Sequence, residues 1–161
     1  MELQARLKSR FADDILEFIE FRGDLTIEIP REKQFSILKA LREEDDFSFD
    51  MLIDVIGLDN YPPPEGKPRF EVIYLLLATK TNERLRVKVR VPEDDPRLQS
   101  VTSIWKAADW PERETYDMFG IVFEGHHNLK RLLMWDEFPA HPLRKDYALE
   151  GQGEERVLKY R

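Results

Sequence analysis

Acidic, basic and imidazole side chains crowd together between residues 109 and 146 of this 161-residue sequence. All three histidines, His126, His127 and His141, fall there, as do Glu112, Glu114 and Asp117. Two carboxylates in unlike surroundings can divide general-acid from general-base work, and a histidine can join such a set. One reading is therefore a small stand-alone acid–base enzyme using Glu112 or Glu114 with His126. The helical spacing favours structure instead. Glu112 and Glu114 point to different faces of a helix, while Arg113 and Asp117, four apart, can pair. Two acids in a first turn also suit the helix dipole. A metal site would need Glu124 or Asp136 to join the histidines. Adjacent His126 and His127 do not match the i, i+4 pair of a metalloprotease helix, so loop histidines bonded to backbone are expected. No catalytic, cofactor-binding or metal residue is assigned.

Composition removes further chemistry. There is no cysteine, hence no thiolate for an iron–sulfur cluster, no Cys-based zinc site, no disulfide and no Cys nucleophile. None of the seven glycines lies in a phosphate-loop or nucleophile-elbow pattern. A net charge of −7 argues against nucleic acid as a partner. The longest clean apolar run, Val72 to Ala78, is far short of the roughly 18 residues that span a bilayer.

These residues need elements to hold them. Leu3, Leu7, Phe11, Ile15, Phe18 and Ile19 recur at steps of three and four, which predicts one amphipathic helix closed by Gly23. Leu25 to Ile29 reads as a strand, and Arg31 to Arg42 as a second helix. Phe47, Phe49, Met51, Ile53 and Val55 alternate with polar residues and predict a half-buried strand. Four prolines make 60–68 a loop. Phe70 to Ala78 suits a central strand covered on both faces. Thr79 to Asn82 turns the chain into Leu85, Val87, Val89 and Val91, opposed by Arg84, Arg86, Lys88 and Arg90. Those cations could be solvated, pair with a neighbouring strand, meet an acidic protein or contact phosphate. A short helix is expected over 102–108. A second should start at Asp109, whose spacing to Glu112 suits a capping box, and stop at Gly120. The rest is irregular. The order predicts an α+β fold: a mostly antiparallel sheet with helices packed against it and an extended C-terminal segment. A single domain is expected over 1–147, with a short tail over 148–161 that lacks a core pattern and would be mobile unless a partner holds it.

The stretch from Glu112 to Leu133 resembles the signature of the C subunit of respiratory complex I (NADH-quinone oxidoreductase). Its fixed positions are met by Glu112, Arg113, Glu114, Asp117, Met118, Phe119, His126, Lys130, Leu132 and Leu133. FEVIYLLL, RLRVKVRVP and the lead-in VTSIWKAADW resemble the core strands and approach of that family, and HPLRKDY its downstream segment. The resemblance covers about residues 45–147. It implies a non-catalytic subunit of the peripheral arm, beside subunits D and B and near I and G, in a hetero-oligomer on the cytoplasmic side of the inner membrane. FMN and Fe–S clusters would sit in partners, which carry electrons from NADH to quinone with proton translocation. Arg113, Glu114, Asp117, His126, Lys130, Arg144 and Asp146, together with Glu112, are then the candidates for structural or docking roles. Equivalent subunits of energy-converting hydrogenases or coenzyme F420-type dehydrogenases are the alternative. Many relatives continue well past HPLRKDY, so a short arm, or contacts supplied by a neighbour, is expected here.

Overall fold

The computed structural model describes residues 2–153. From residue 154 on, the expected tail lies outside the described residues. Helix α1 covers Leu3–Phe11, and strands β1 and β2 cover Glu17–Phe21 and Asp24–Ile29. A 3-10 turn at Arg31–Lys33 leads into α2, Gln34–Glu43. Strands β3 (Met51–Asp59), β4 (Phe70–Ala78) and β5 (Glu83–Val91) follow, then short β6 (Arg97–Gln99). A 3-10 turn at Lys106–Ala108 precedes α3, Asp109–Phe119, and β7, Val122–Glu124. The main sheet runs β1-β2-β5-β4-β3, antiparallel except between β2 and β5. Strands β6 and β7 form a separate parallel pair.

The expected α+β architecture is present, with local corrections. The long first helix ends at Phe11, and its second half is β1. Glu17-Phe-Ile-Glu-Phe21 is rich in aromatic and β-branched residues, which favour strands. Arg22 and Gly23 both have positive φ, 52° and 85°, the signature of a two-residue hairpin turn. In β3 the register slips between Leu52 and Asp54, a bulge that breaks the alternation of the segment. Leu52 and Val55 are buried, whereas Met51 and Ile53 are each 47% exposed. Strand β4 is central but not covered on both faces: its residues alternate between buried and half-buried. The sequence pattern also gives no warning of β6 and β7, which have three residues each.

One face of the sheet carries the core. Val72, Tyr74 and Leu76 of β4 and Leu85, Val87 and Val89 of β5 share one buried cluster with Leu7 and Phe11 of α1 and Ile37, Leu38 and Leu41 of α2. Outside the apolar seam Arg6 of α1 bonds Glu83, and Arg10 grips Glu44 with both Nε and Nη2. Trp105 Nε1–H donates to the Phe49 carbonyl at 3.1 Å. The other face is ion-paired where β5 meets β2 and β4. Arg86 pairs with Asp24, Lys88 with Glu28, and Arg90 with Glu28 and Glu71. Cross-strand pairing thus accounts for three of the four cations on that face.

Helix α3 lies directly on β3. A Cβ at Gly57 would stand 2.7 Å from a Phe119 ring carbon and 2.8 Å from Thr115 Cγ2. Thr115 Oγ1–H donates to the Val55 carbonyl at 3.3 Å. Gly57→Ala is therefore expected to overpack this contact and lower stability by about 1–3 kcal/mol. Urea unfolding should show a lower midpoint at unchanged slope; an unaltered midpoint would mean that the helix does not rest on the strand.

Candidate functional site

The charged segment collects around α3. Ala108 holds the N-cap position and makes no side-chain cap bond, so the expected Asp109–Glu112 capping box is not formed. Glu112 turns into the core instead. Its Oε2 accepts from Ser100 Oγ–H at 2.6 Å and its Oε1 from the Val101 N–H at 2.7 Å, which ties the chain just after β6 to the helix. The residue is fully buried. Burial pushes its carboxyl up to about 7, with help from the charge of Asp109 and against the two hydrogen bonds. Beside it Gln34 Nε2–H bonds Tyr74 Oη at 2.9 Å. Burial and the nearby Glu112 raise the Tyr74 phenol well above its ordinary value.

Asp117, also fully buried, gathers the chain that follows. Its Oδ2 accepts three successive backbone N–H groups, Leu132 at 2.9 Å, Leu133 at 2.8 Å and Met134 at 2.9 Å. Its Oδ1 takes Arg131 Nη1–H at 2.6 Å. Burial alone would raise this carboxyl, but these bonds outweigh it and hold it below the usual carboxylate range. Arg131 also donates from Nη2 to the carbonyls of Phe138 and Ala140. Arg113 does not pair with Asp117. It donates from Nε to the Lys130 carbonyl at 3.2 Å and from Nη2 to the Arg131 carbonyl at 3.0 Å.

The last carbonyls of α3 have no partners within the helix, and the segment 141–144 supplies them. His141 Nδ1–H bonds the Asp117 carbonyl at 2.9 Å, the Leu143 N–H the Met118 carbonyl at 3.2 Å, and Arg144 Nε–H the Phe119 carbonyl at 2.7 Å. A guanidinium at a helix C-terminus also meets the negative end of the dipole. Gly120 makes this possible. Its φ is 77°, and a Cβ there would lie 2.6 Å from both Arg144 Nη2 and His141 Nε2. Burial, with Arg144 and Arg131 nearby, lowers the His141 pKa, so the ring is neutral at pH 7 and donates from Nδ1.

A second cluster fastens Asp146. Arg69, 2% exposed, binds Asp59 at 2.7 Å, Asp146 at 2.7 Å and Glu93 at 2.6 Å. Asp59 also accepts the N–H groups of Tyr61 and Lys145 at 3.0 and 2.9 Å. Asp59 and Asp146 are each held below the ordinary range. Burial raises Asp59, but Arg69 and the backbone donors outweigh it, and the bond to Arg69 is the largest cause for Asp146.

His126 and His127 stack at 4.9 Å beside Asp109, and one ligand atom from each of the three lies within 4.8 Å of the others. The hydrogen bonds oppose a metal there. His126 Nδ1 accepts the Asn128 N–H at 3.0 Å, so the proton sits on Nε2, which donates to the Asp109 carbonyl at 3.1 Å. Glu124 pairs with Arg97 instead of joining the histidines.

The structure thus brings Arg113, Asp117, the Lys130 carbonyl and Arg144 together at the end of α3, with Asp146 fastened nearby through Arg69. Glu112 is in the core, His126 is seated on Asp109, and Glu114 is exposed without a partner among the described residues. Among the described residues no hydrogen bond joins either glutamate to His126, so the acid–base set does not assemble. Sequence reasoning missed Arg131 and Arg69, the two cationic hubs. Arg131 follows Lys130 in a basic pair, and which of the two turns inward is not encoded by spacing. Arg69 stands between Pro68 and the strand β4, where no pattern marks it.

Comparison with known proteins gives a consistent result. The family described as "Respiratory-chain NADH dehydrogenase, 30 Kd subunit" matches residues 27–153. The C subunit of the NADH-quinone oxidoreductase of Citrifermentans bemidjiense is 44% identical over 150 residues, 93% of this chain and 90% of its own. The C/D subunit of the same oxidoreductase from a Sulfurihydrogenibium species is 40% identical over 94% of this chain, which corresponds to 25% of that relative. Among solved structures, the trypsin-resistant fragment (1-134) of Nqo5 matches with a TM-score of 0.70 and 37% identity, covering 80% of this chain and 100% of the fragment. A chain of an archaeal membrane-bound sulfane sulfur reductase matches with a TM-score of 0.73 and 25% identity, covering 91% of this chain and 84% of that one.

Asp117→Ala should strand a buried guanidinium and three N–H groups and cost on the order of 3–5 kcal/mol. Limited proteolysis should then cut the variant within 130–147 and leave the wild-type chain intact there; equal resistance of the two would remove Asp117 as the anchor. The two buried acids act oppositely with pH. Asp117, with a lowered pKa, stabilises above the unfolded carboxylate range, and that contribution is lost as pH falls through its folded value. Glu112 binds its proton more tightly when folded, so its ionisation erodes stability as pH rises from 4.5 to about 7. Glu112→Gln should flatten the stability profile across that window, measured by urea titration at several pH values; a retained slope would assign the effect elsewhere.

Proposed function

The chain belongs to the family of the 30 Kd subunit of respiratory-chain NADH dehydrogenase, and from that membership we propose that it is a non-catalytic architectural subunit of the peripheral arm of complex I. In this reading partner subunits hold FMN and the Fe–S clusters and carry electrons from NADH to quinone with proton translocation. This chain holds no redox group of its own. The absence of cysteine supports this, because cluster ligation needs thiolates.

The neighbours in this reading are subunits D and B, with I and G further along the arm. The C/D relative supports D, because there the matched stretch is part of one longer polypeptide named for both. The assembly lies on the cytoplasmic side of the inner membrane, and among the described residues no helix is long and apolar enough to cross a membrane. Residues 1–147 act as one domain and 148–161 as its tail. Arg113, Asp117, Arg144 and Asp146 shape the extended segment, and Glu112 and His126 fix α3 and the loop after it. Glu114 and Lys130, both exposed, face partners.

The observation that carries the reading is 44% identity over nearly the whole chain to a C subunit of that oxidoreductase. The likeness to a sulfane sulfur reductase chain at 25% identity favours a second reading, an equivalent subunit of a related membrane-bound hydrogenase or F420-type dehydrogenase. A tagged chain purified from detergent-solubilised membranes separates them. Co-purification of an NADH-oxidising flavoprotein, with NADH-dependent quinone reduction that disappears on deletion of the gene, is the expected result. Recovery of a hydrogenase or other oxidoreductase without that flavoprotein would support the second reading. Recovery of no Fe–S protein would overturn both.

A further inference from the structure

The sheet face opposite the core is divided. Its β2 and β5 strip is ion-paired, but its β3 and β4 strip is mostly apolar, with Asp54 opposite Leu75 and Glu71 opposite Leu58 as its acidic members. The register places Met51 beside Leu77, and Ile56 beside Ile73, with Leu75 between Leu77 and Ile73 on the same face. The bulge adds Ile53 to this surface. Met51 and Ile53 are each 47% exposed and Leu58 38%, on a strand whose other apolar residues are largely buried. Cations border the strip: Leu77 pairs in register with Arg84, and Leu75 with Arg86. Arg86 is already matched by Asp24, whereas exposed Arg84 has no ion pair among the described residues. A depression of about 140 Å³ marks the boundary, lined by Ile53, Leu75, Arg84 and Arg86 among others.

We propose that this apolar strip is a docking surface for an amphipathic helix of a partner subunit, with acidic residues along the flank that meets Arg84. Two adjacent strands span about 10 Å, the width of one helix. In an antiparallel sheet the face away from the helices ordinarily meets water and is polar, so exposed apolar residues on it mark a contact surface. The cation left without a partner at the border sets the sign of the charge it meets. The inference rests on the subunit reading above and adds where, and against what chemistry, the subunit is held. A second copy of this chain would bring the same border cation, Arg84, and no acidic flank of a helix to meet it.

Ile53→Glu and Arg84→Glu, both at exposed positions, test it in the tagged, assembled complex. Each should keep the thermal midpoint of the isolated chain. Ile53→Glu should lower recovery of partner subunits at least about tenfold, and Arg84→Glu about three- to tenfold, as for truncations at interface centres and rims. Arg84→Lys should restore recovery. Peroxide oxidation gives a second measurement that needs no variant: Met51 should oxidise in the isolated chain and be protected in the complex. Equal recovery of all variants, or equal oxidation of Met51 in both states, would overturn the surface while leaving the subunit assignment intact, provided the wild-type chain still brings down its partners. A wild-type chain that brings down none overturns the subunit assignment itself. Self-association of the isolated chain that Ile53→Glu abolishes would overturn the partner helix in favour of a homodimer.

Discussion

A carboxylate sealed from water must find hydrogen-bond donors, and the placement of Asp117 follows from that demand. An unpaired buried charge is costly enough to unfold a small domain. The chain meets the demand by folding back, offering three consecutive N–H groups and the guanidinium of Arg131 to one side chain. Once residues 131–134 are fixed there, Arg131 fixes the carbonyls of Phe138 and Ala140, and the following segment reaches the open end of α3. Two unmet needs, a buried anion and a set of orphan carbonyls, are satisfied by one stretch of chain that has almost no core of its own.

The same economy explains the sheet. Strand β5 alternates strictly because it lies between two partners and its two faces meet different surroundings, aliphatic core on one side and carboxylates on the other. Its pattern is readable for that reason. Strand β3 is half-readable. Its apolar residues are visible, but a bulge moves Met51 and Ile53 from the expected core face to the exposed one. Strand β1 reads as helix because its Phe18 and Ile19 continue the helical period of Phe11 and Ile15, although they lie in a hairpin. The positive φ at Arg22 and Gly23 decides between them, and only Gly23 announces itself in the sequence.

The candidate site shows where sequence reasoning ends. Positions Arg113, Asp117, Arg144 and Asp146 are marked by their resemblance to a family pattern, and all four make specific bonds. Their partners are not marked. Helical spacing suggests Arg113 with Asp117, yet each turns to the returning chain, because tertiary donors and acceptors compete with a weak surface pair. Likewise Glu112 has the spacing of a cap, but Ser100 and Val101 offer it bonds inside the core. Long-range partners such as Arg69 for Asp146, 77 residues apart, leave no local trace.

The way the 130–146 segment is secured has a consequence for assembly. Its hydrogen bonds and ion pairs run to its own domain, to α3, Asp59 and Arg69, so its shape does not wait for a neighbour. Conformational entropy that a loose arm would surrender on association is lost during folding instead. In the proposed assembly, a surface built on this segment would meet its partner preorganised, and more of the contact free energy would be retained as affinity.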